Sequence, residues 1–426
     1  LSQDIQGQTF DYPEEFFKEK IHTIRRPRPD DFQIKEAAEV IKSSKNPIII
    51  SGGGVFYSDA MEELSDFAIK HNIPVTQTVM GYSTMKRDHP HYAGQIGALG
   101  GKNTNLIAKQ TDLAIAIGTK LGDFTTGSWA NFENKNFKLV TINVSRFDAN
   151  KHLAQAIVGD AKISLKDLSI ALGDWKANEE WNKKSQTELA IWNEQIEKES
   201  APSNQEIPSY VQAIGAIYKN SDPSDIAVTA AGGLVGEVVQ VWRPRELNTH
   251  ETEWGFSCMG YEISGALGIK MANPNKEVIS FVGDGSYLLN NTDIYSSVIT
   301  KNKLIIIVCD NGGFAVINRL QLFKGGNEYN NLLKSSNTPG LVDVDFAKHA
   351  ESMGAKSEHV NSISDLEEAF KRAKKSDVTY VISIKTHAYQ WLEGSAFWDS
   401  PTLEIPTTDE NKEALKLYKE GKSKQR

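Results

Sequence analysis

Short runs of aliphatic and β-branched residues recur along this chain, each followed by a stretch of helical length and period. That alternation restricts the fold more than any other feature. "PIIIS" at 47–51, "IPVTQTV", "DLAIAIG" and "KLVTINV" read as buried strands in the first half, and "DIAVTAAGG", "EVISFVGDG", "KLIIIVCDNGG" and "VTYVISIKT" in the second. Strands apolar on both faces and separated by helices form parallel sheets covered on both sides. The expected fold is therefore α/β, with two doubly wound parallel-sheet domains. "FQIKEAAEVIKSS" reads as a helix, as does "SDAMEELSDFAIKHN", where Ser58 stands at the capping position. The expected layout begins with a linker over 1–32, whose "RRPRPDD" cannot sustain a helix past its prolines. A first domain covers 33–172, a polar, Trp-dotted connection with a helix in it 173–207, and a second domain 208–400. A charged tail, a solvated helix or disordered, covers 401–426.

Composition excludes several functions. A formal net charge of −8 argues against a nucleic-acid partner or an anionic membrane surface, which would need a basic face. No apolar run approaches the ~18–20 residues that span a bilayer. The polar start "LSQDIQGQTF" is no signal peptide. The two cysteines, Cys258 and Cys309, build neither a disulfide framework nor a zinc site, which suits a reducing cytoplasm.

In an open parallel sheet, ligands settle beyond the carboxyl ends of strands, where loops leave the sheet. Two such ends carry chemistry. "EVISFV" runs into Gly283-Asp284-Gly285-Ser286, and "KLIIIVC" runs into Asp310-Asn311-Gly312-Gly313. One crossover helix, "NNTDIYSSVITKN", joins them, so the two loops become neighbours. Asp284 and Asn311 then offer a carboxylate and an amide oxygen beside a glycine carbonyl. So few hard oxygen ligands suit Mg²⁺, which fills its other positions with water and phosphate oxygens. The glycines let backbone N–H groups approach a diphosphate. A lone G-D-G is most often a turn. The second loop at crossover distance shifts the reading to a metal that bridges to a diphosphate.

These two strand ends resemble the signature of the thiamin diphosphate-dependent enzymes, G-D-G followed after a spacer by N-N. Here it reads "GDGSYLLNNTDIYSSVITKNKLIIIVCDN", with Asp310 in place of the first Asn. The resemblance implies Mg²⁺ held by Asp284, Asn311 and the Gly313 carbonyl, with Gly283, Gly285, Ser286 and Phe314 beside the thiamin diphosphate. "WGFSCMGYEISGALGIKMA" is similar to the family's "GxxTMGxGLPAAIGA". That implies Met259 as an apolar wedge that bends the cofactor, and the backbone of Ser257 and Met259 against its pyrimidine ring. Taken alone, Met259 reads as core filler. "AAGGLVG" implies Gly232, Gly233, Leu234 and Val235 along the diphosphate. Residues 33–172 resemble the family's Rossmann-like central domain, and 208–400 its diphosphate-binding domain. "SGGGVFY" at 51–57 departs from G-x-G-x-x-G spacing and has no clear acidic ribose partner, so a nucleotide is not expected there.

Within the family, "WGFSCMGYE", "CDNGGFAVINRLQ" and the entry segment resemble members that open a cyclic 1,2-diketone in inositol breakdown. That implies a small-molecule diketone substrate, hydrolytic cleavage of a C–C bond, and a homodimer or homotetramer with active sites between subunits. Asn318 and Gln321 are candidates to steer substrate hydroxyls, with solvated helix positions the preferred reading. The family's first domain, which carries the glutamate that protonates the cofactor's pyrimidine, has no counterpart here, so no catalytic residue is assigned in this chain. The expectation is a two-domain portion of a longer enzyme, inactive by itself. Rival readings are an acetolactate synthase-like enzyme acting on 2-oxo acids, an inert cofactor-binding fragment, and a nicotinamide dehydrogenase, disfavoured by the absent fingerprint.

Overall fold

The computed structural model describes residues 1–203, 205–394 and 396–426. Two parallel six-stranded sheets organise them. The first contains β1 (Pro47–Ser51), β2 (Val75–Gln77), β3 (Tyr92–Gln95), β4 (Leu113–Ile117), β5 (Lys138–Asn143) and β6 (Gln155–Val158), in the spatial order β3-β2-β1-β4-β5-β6. The second contains β7 (Ile226–Thr229), β8 (His250–Thr252), β9 (Val278–Gly283), β10 (Ile305–Asp310), β11 (Lys356–Val360) and β12 (Tyr380–Lys385), in the order β11-β12-β10-β9-β7-β8. The chain is α/β with two doubly wound sheets.

Both faces of each sheet are covered. In β1, Ile48 and Ile50 enter one apolar cluster while Ile49 enters the other. In β10, Ile305 and Ile307 face one cluster, Ile306 and Val308 the opposite one. The helix Asp31–Lys42 shows how the covering layer forms: Ile34, Ala37, Ala38 and Ile41 recur at helical spacing and are all buried. Each such isoleucine contributes about 1.5–3 kcal/mol on burial. Asp30 caps that helix by accepting the Phe32 N–H at 2.8 Å. Arg26 and Arg28 of the entry segment pair with Asp160 and Asp167 at 2.9 and 2.7 Å, fixing its end to the first sheet's helical layer.

One local expectation, the cap at Ser58, is corrected, and two segments gain detail. Ser58 does not cap the helix Met61–His71. It ends the short helix Gly53–Tyr57, and Ala60 takes the cap position with no side-chain bond. The polar stretch after residue 172 holds a helix of 22 residues, Glu179–Ser200. The charged tail contains the helix Asp409–Lys422, with Asn411 and Ala414 buried. Its end docks on the first sheet's side of the molecule: Gln425 Nε2 donates to the Ser128 carbonyl at 2.9 Å, and Arg426 lies over the Phe137 ring.

"SGGGVFY" has a packing role. Gly54 N–H donates to the Gly118 carbonyl at 2.9 Å, and a Cβ on Gly52 or Gly54 would meet Gly118 backbone at 2.5 Å. The loops after β1 and β4 cross with no room for side chains. In the second half, buried Glu237 accepts the Leu392 N–H at 3.2 Å, pinning the strap that follows β12. Burial pushes its carboxyl up to about 7, against the pull of that N–H and of Arg319.

Two outcomes follow. Gly118→Ala, which combines φ +61° with a blocked Cβ, should destabilise the protein by about 3 kcal/mol or more. Gly173→Ala, with φ +62° but open space, should cost less, about 1–3 kcal/mol of backbone strain alone. Urea titration of both variants checks the contrast. For Glu237, the folded pKa of about 7 lies above the ordinary 4.5. The unfolded chain therefore releases its proton first, so the side chain's contribution is complete below about pH 4.5 and lost as pH rises through about 7. Glu237→Gln, which stays neutral, should gain about 3 kcal/mol on wild type between pH 4.5 and 8. Urea midpoints at both pH values measure it.

Candidate functional site

The second sheet reverses its winding at β7, which has β8 on one side and β9 on the other. Open parallel sheets bind ligands outside the carboxyl ends at such a point. Three loops converge there. After β7 the chain enters the helix Gly232–Val241, whose cap residue Ala231 gives its first N–H groups no side-chain partner. After β9 a short helix starts at Asp284, and after β10 comes Asn311-Gly312-Gly313. Cys309 pairs in register with Gly283, which sets the last two loops side by side.

Asp284 is 5% exposed, and its Oδ1 is buried without a partner. Burial, and then the Asp310 carboxylate, push its pKa up to about 7, against the pull of backbone N–H groups from Gly313, Asp284 itself and Asn311. Asn311 is fixed by its amide nitrogen, which donates to the Tyr210 hydroxyl and leaves a buried Oδ1 also unpartnered. Two orphaned hard oxygens in one cleft are the donor set a divalent cation satisfies. Asp310, at the family's first Asn position, does a separate job. Its Oδ1 accepts the Gly312 N–H at 2.9 Å and its Oδ2 pairs with Lys385 at 2.6 Å, bracing the turn that carries Asn311.

The surrounding backbone is open. A Cβ on Gly232, Gly283 or Gly312 would meet nothing within 4 Å. Gly313 is needed for another reason: φ is +140° and a Cβ would meet the Asn331 carbonyl at 2.5 Å, because Phe314 N–H donates to that carbonyl. A Cβ on Gly285 would lie 2.7 Å from the Phe314 ring and 3.5 Å from Met259 Cε, so these three expected residues meet at one wall of the cleft. Met259 is half-buried, which removes its reading as core filler. Ser257 stands at the adjacent turn with φ +52°. Gly233 lies against Tyr210, and Ser286 is buried at the start of the short helix.

Some candidates sit differently from the expectation. Leu234 and Val235 bury their side chains in apolar clusters, so they present only backbone to the cleft. Asn318 is not solvated: it is 1% exposed and donates to Glu328 at 2.8 Å, with its own Oδ1 unpartnered. Gln321 accepts from Asn331. Both brace the segment that returns from their helix, Ala315–Phe323, to the Asn311 loop. Tyr210 and Lys385 escaped the sequence reading because they meet the site from about a hundred residues upstream and some 75 downstream of Asn311 and Asp310 respectively. Among the described residues no three His, Cys, Asp or Glu side chains gather as a metal cluster, and the orphaned set here is one carboxylate with one amide. No helix among the described residues is long and apolar enough to cross a membrane.

Comparison with known proteins bears on this geometry. Residues 34–168 match the family model "Thiamine pyrophosphate enzyme, central domain", and residues 230–384 match "Thiamine pyrophosphate enzyme, C-terminal TPP binding domain". Thiamine pyrophosphate is thiamin diphosphate under its other name. A protein of Clostridium perfringens named 3D-(3,5/4)-trihydroxycyclohexane-1,2-dione hydrolase is 36% identical over 93% of this chain and 67% of its own length. Proteins of the same name from Geobacillus thermodenitrificans (35% identical; 99% of this chain, 70% of the relative) and Clostridium botulinum (36%; 98% and 70%) are similar throughout. The chain thus spans about two thirds of these relatives. Its two sheets, its cleft and its relatives agree: this chain belongs to the thiamine pyrophosphate enzyme family.

Proposed function

We propose that this chain supplies the diphosphate and Mg²⁺ site of a thiamin diphosphate-dependent hydrolase that opens trihydroxycyclohexane-1,2-dione to 5-deoxyglucuronate in inositol breakdown. The observation that carries it is the pair of orphaned oxygens on Asp284 and Asn311 beside the open glycines at 232, 283 and 312. The substrate reading is supported by relatives named for that diketone.

Asp284, Asn311 and the Gly313 carbonyl would hold Mg²⁺, and the N–H groups at the start of the helix Gly232–Val241 would meet the diphosphate. Bound thiamin diphosphate would supply a carbanion able to add to one carbonyl and a cationic ring able to take up the electron pair when the bond to the neighbouring carbonyl carbon breaks. One water is consumed, and the ring becomes a chain with a carboxylic acid and an aldehyde. Met259, against Gly285 and Phe314, presents an apolar wall to the cofactor's middle. Leu289, Phe256, Phe314 and Ile317 stand exposed around the cleft, which supports assembly as a homodimer or homotetramer with the site between subunits. Cytoplasmic residence fits the free thiols of Cys258 and Cys309.

The intact protein, given thiamin diphosphate and Mg²⁺, should consume the cyclic diketone with release of acid and leave pyruvate unchanged. Turnover of pyruvate to acetolactate would favour the 2-oxo acid rival instead. Asp284→Ala should keep the circular dichroism spectrum yet weaken Mg²⁺-dependent cofactor binding beyond the about 10–100-fold typical of losing a metal's outer partner. Unchanged affinity by calorimetry would remove Asp284 from the metal site.

A further inference from the structure

The family's pattern around the apolar wedge reads M-G-x-G, and this chain has Met259-Gly260-Tyr261-Glu262, so a carboxylate stands where the pattern has glycine. Glu262 is 1% exposed. Its Oε2 accepts the Gly260 N–H at 2.8 Å, and its Oε1 accepts the Ala231 N–H at 3.2 Å. The Ser286 hydroxyl lies close enough to this carboxylate to favour its charged form, against the effect of burial. Its carbonyl accepts the Ser280 hydroxyl of β9 at 2.8 Å, so the helix that begins here is anchored to the strand leading into Asp284.

These partners are not scattered. Ala231 precedes the glycines proposed for the diphosphate, Gly260 follows the Met259 wedge, and Ser286 ends the Gly283–Ser286 run. Separate stretches of chain thus form the three walls of the cleft, and one buried side chain hydrogen-bonds two of them and lies beside the third. Gly260 cannot be replaced without strain, because φ is +97° and a Cβ would meet Asn290 at 2.5 Å. A buried carboxylate is costly unless its hydrogen bonds are made, so any movement of one wall leaves an unsatisfied charge or N–H.

We propose that Glu262 is a positioning residue that fixes the distance between the diphosphate walls and the Met259 wall, so that the cleft takes a cofactor with both a diphosphate and a ring system. The proposal rests on reading this cleft as the thiamin diphosphate site. Glu262 would not touch the cofactor. Its part is to hold the walls in register.

The test uses the intact protein, with Glu262→Ala and Glu262→Gln. Amide hydrogen exchange without ligand should be slow at Ala231 and Gly260 in wild type. In Glu262→Ala it should be faster at both by about tenfold or more, the worth of a charge-assisted hydrogen bond, with β4 amides unchanged. Glu262→Gln keeps one acceptor oxygen and should restore protection at one of the two amides. Calorimetry then compares two ligands in the presence of Mg²⁺. Inorganic diphosphate touches only the first and third walls, and thiamin diphosphate spans all three. Glu262→Ala should weaken thiamin diphosphate by about tenfold or more and inorganic diphosphate by several-fold less.

Equal losses for the two ligands, unchanged binding of both, or unchanged exchange at Ala231 and Gly260 would overturn the proposal. If Glu262→Ala does not fold, Glu262→Gln and the wild-type exchange rates still decide. If wild type binds neither ligand, the cofactor reading fails while the exchange result alone judges the clamp.

Discussion

A carboxylate that the fold places out of water, with one oxygen left unpaired, is the constraint on which the second sheet's loops depend. Raising the Asp284 carboxyl from 3.8 to about 7 corresponds to about 4 kcal/mol against its charged form. A chain does not sustain that cost for packing, since an apolar residue would fill the same space. The neighbouring features all bear on it. Tyr210 turns the Asn311 amide so that an oxygen, not a nitrogen, is left free. Lys385 neutralises Asp310, which otherwise adds to the repulsion on Asp284. The 331–333 segment pairs with Gly312–Phe314 and sets the loop's height.

The two sheets use their switch points differently. In the first, with the order β3-β2-β1-β4-β5-β6, the ligand-prone crevice lies beyond β1 and β4. There Gly52 and Gly54 lie against Gly118, so the protein's own backbone occupies the crevice. In the second, Gly232, Gly283 and Gly312 beyond β7, β9 and β10 open into free space. Glycine-rich strand ends look alike in a sequence. What separates them is whether a second loop crosses in front.

The same distinction explains how much could be read in advance. All eight inner strands were legible, because burial on both faces writes itself as an unbroken aliphatic run such as "PIIIS" or "KLIIIVC". The four strands that gave no signal, β3, β6, β8 and β11, are the four sheet edges. "YAGQ", "HET" and "KSEHV" are short or polar because one side faces no further strand. At the site, the residues on the G-D-G and D-N-G-G loops were legible from local spacing. Tyr210, Lys385 and Glu237 act across distant stretches of chain, where no periodicity connects them. Glu262 lay within a quoted motif, and its departure from glycine was the available sign.

The docked tail carries a consequence for the order of events during synthesis. The contact from Gln425 to Ser128 joins residues 297 positions apart. At about 5–20 residues per second, Ser128 waits roughly 15–60 s for that partner to be made. Through that interval the first sheet can complete its own strands. The surface around Ser128, Phe132 and Phe137, where Asp399, Gln425 and Arg426 finally settle, stays uncovered. A nascent chain stalled in the second half would display that surface to holdase chaperones, and docking of the segment after Asp409–Lys422 would end its exposure.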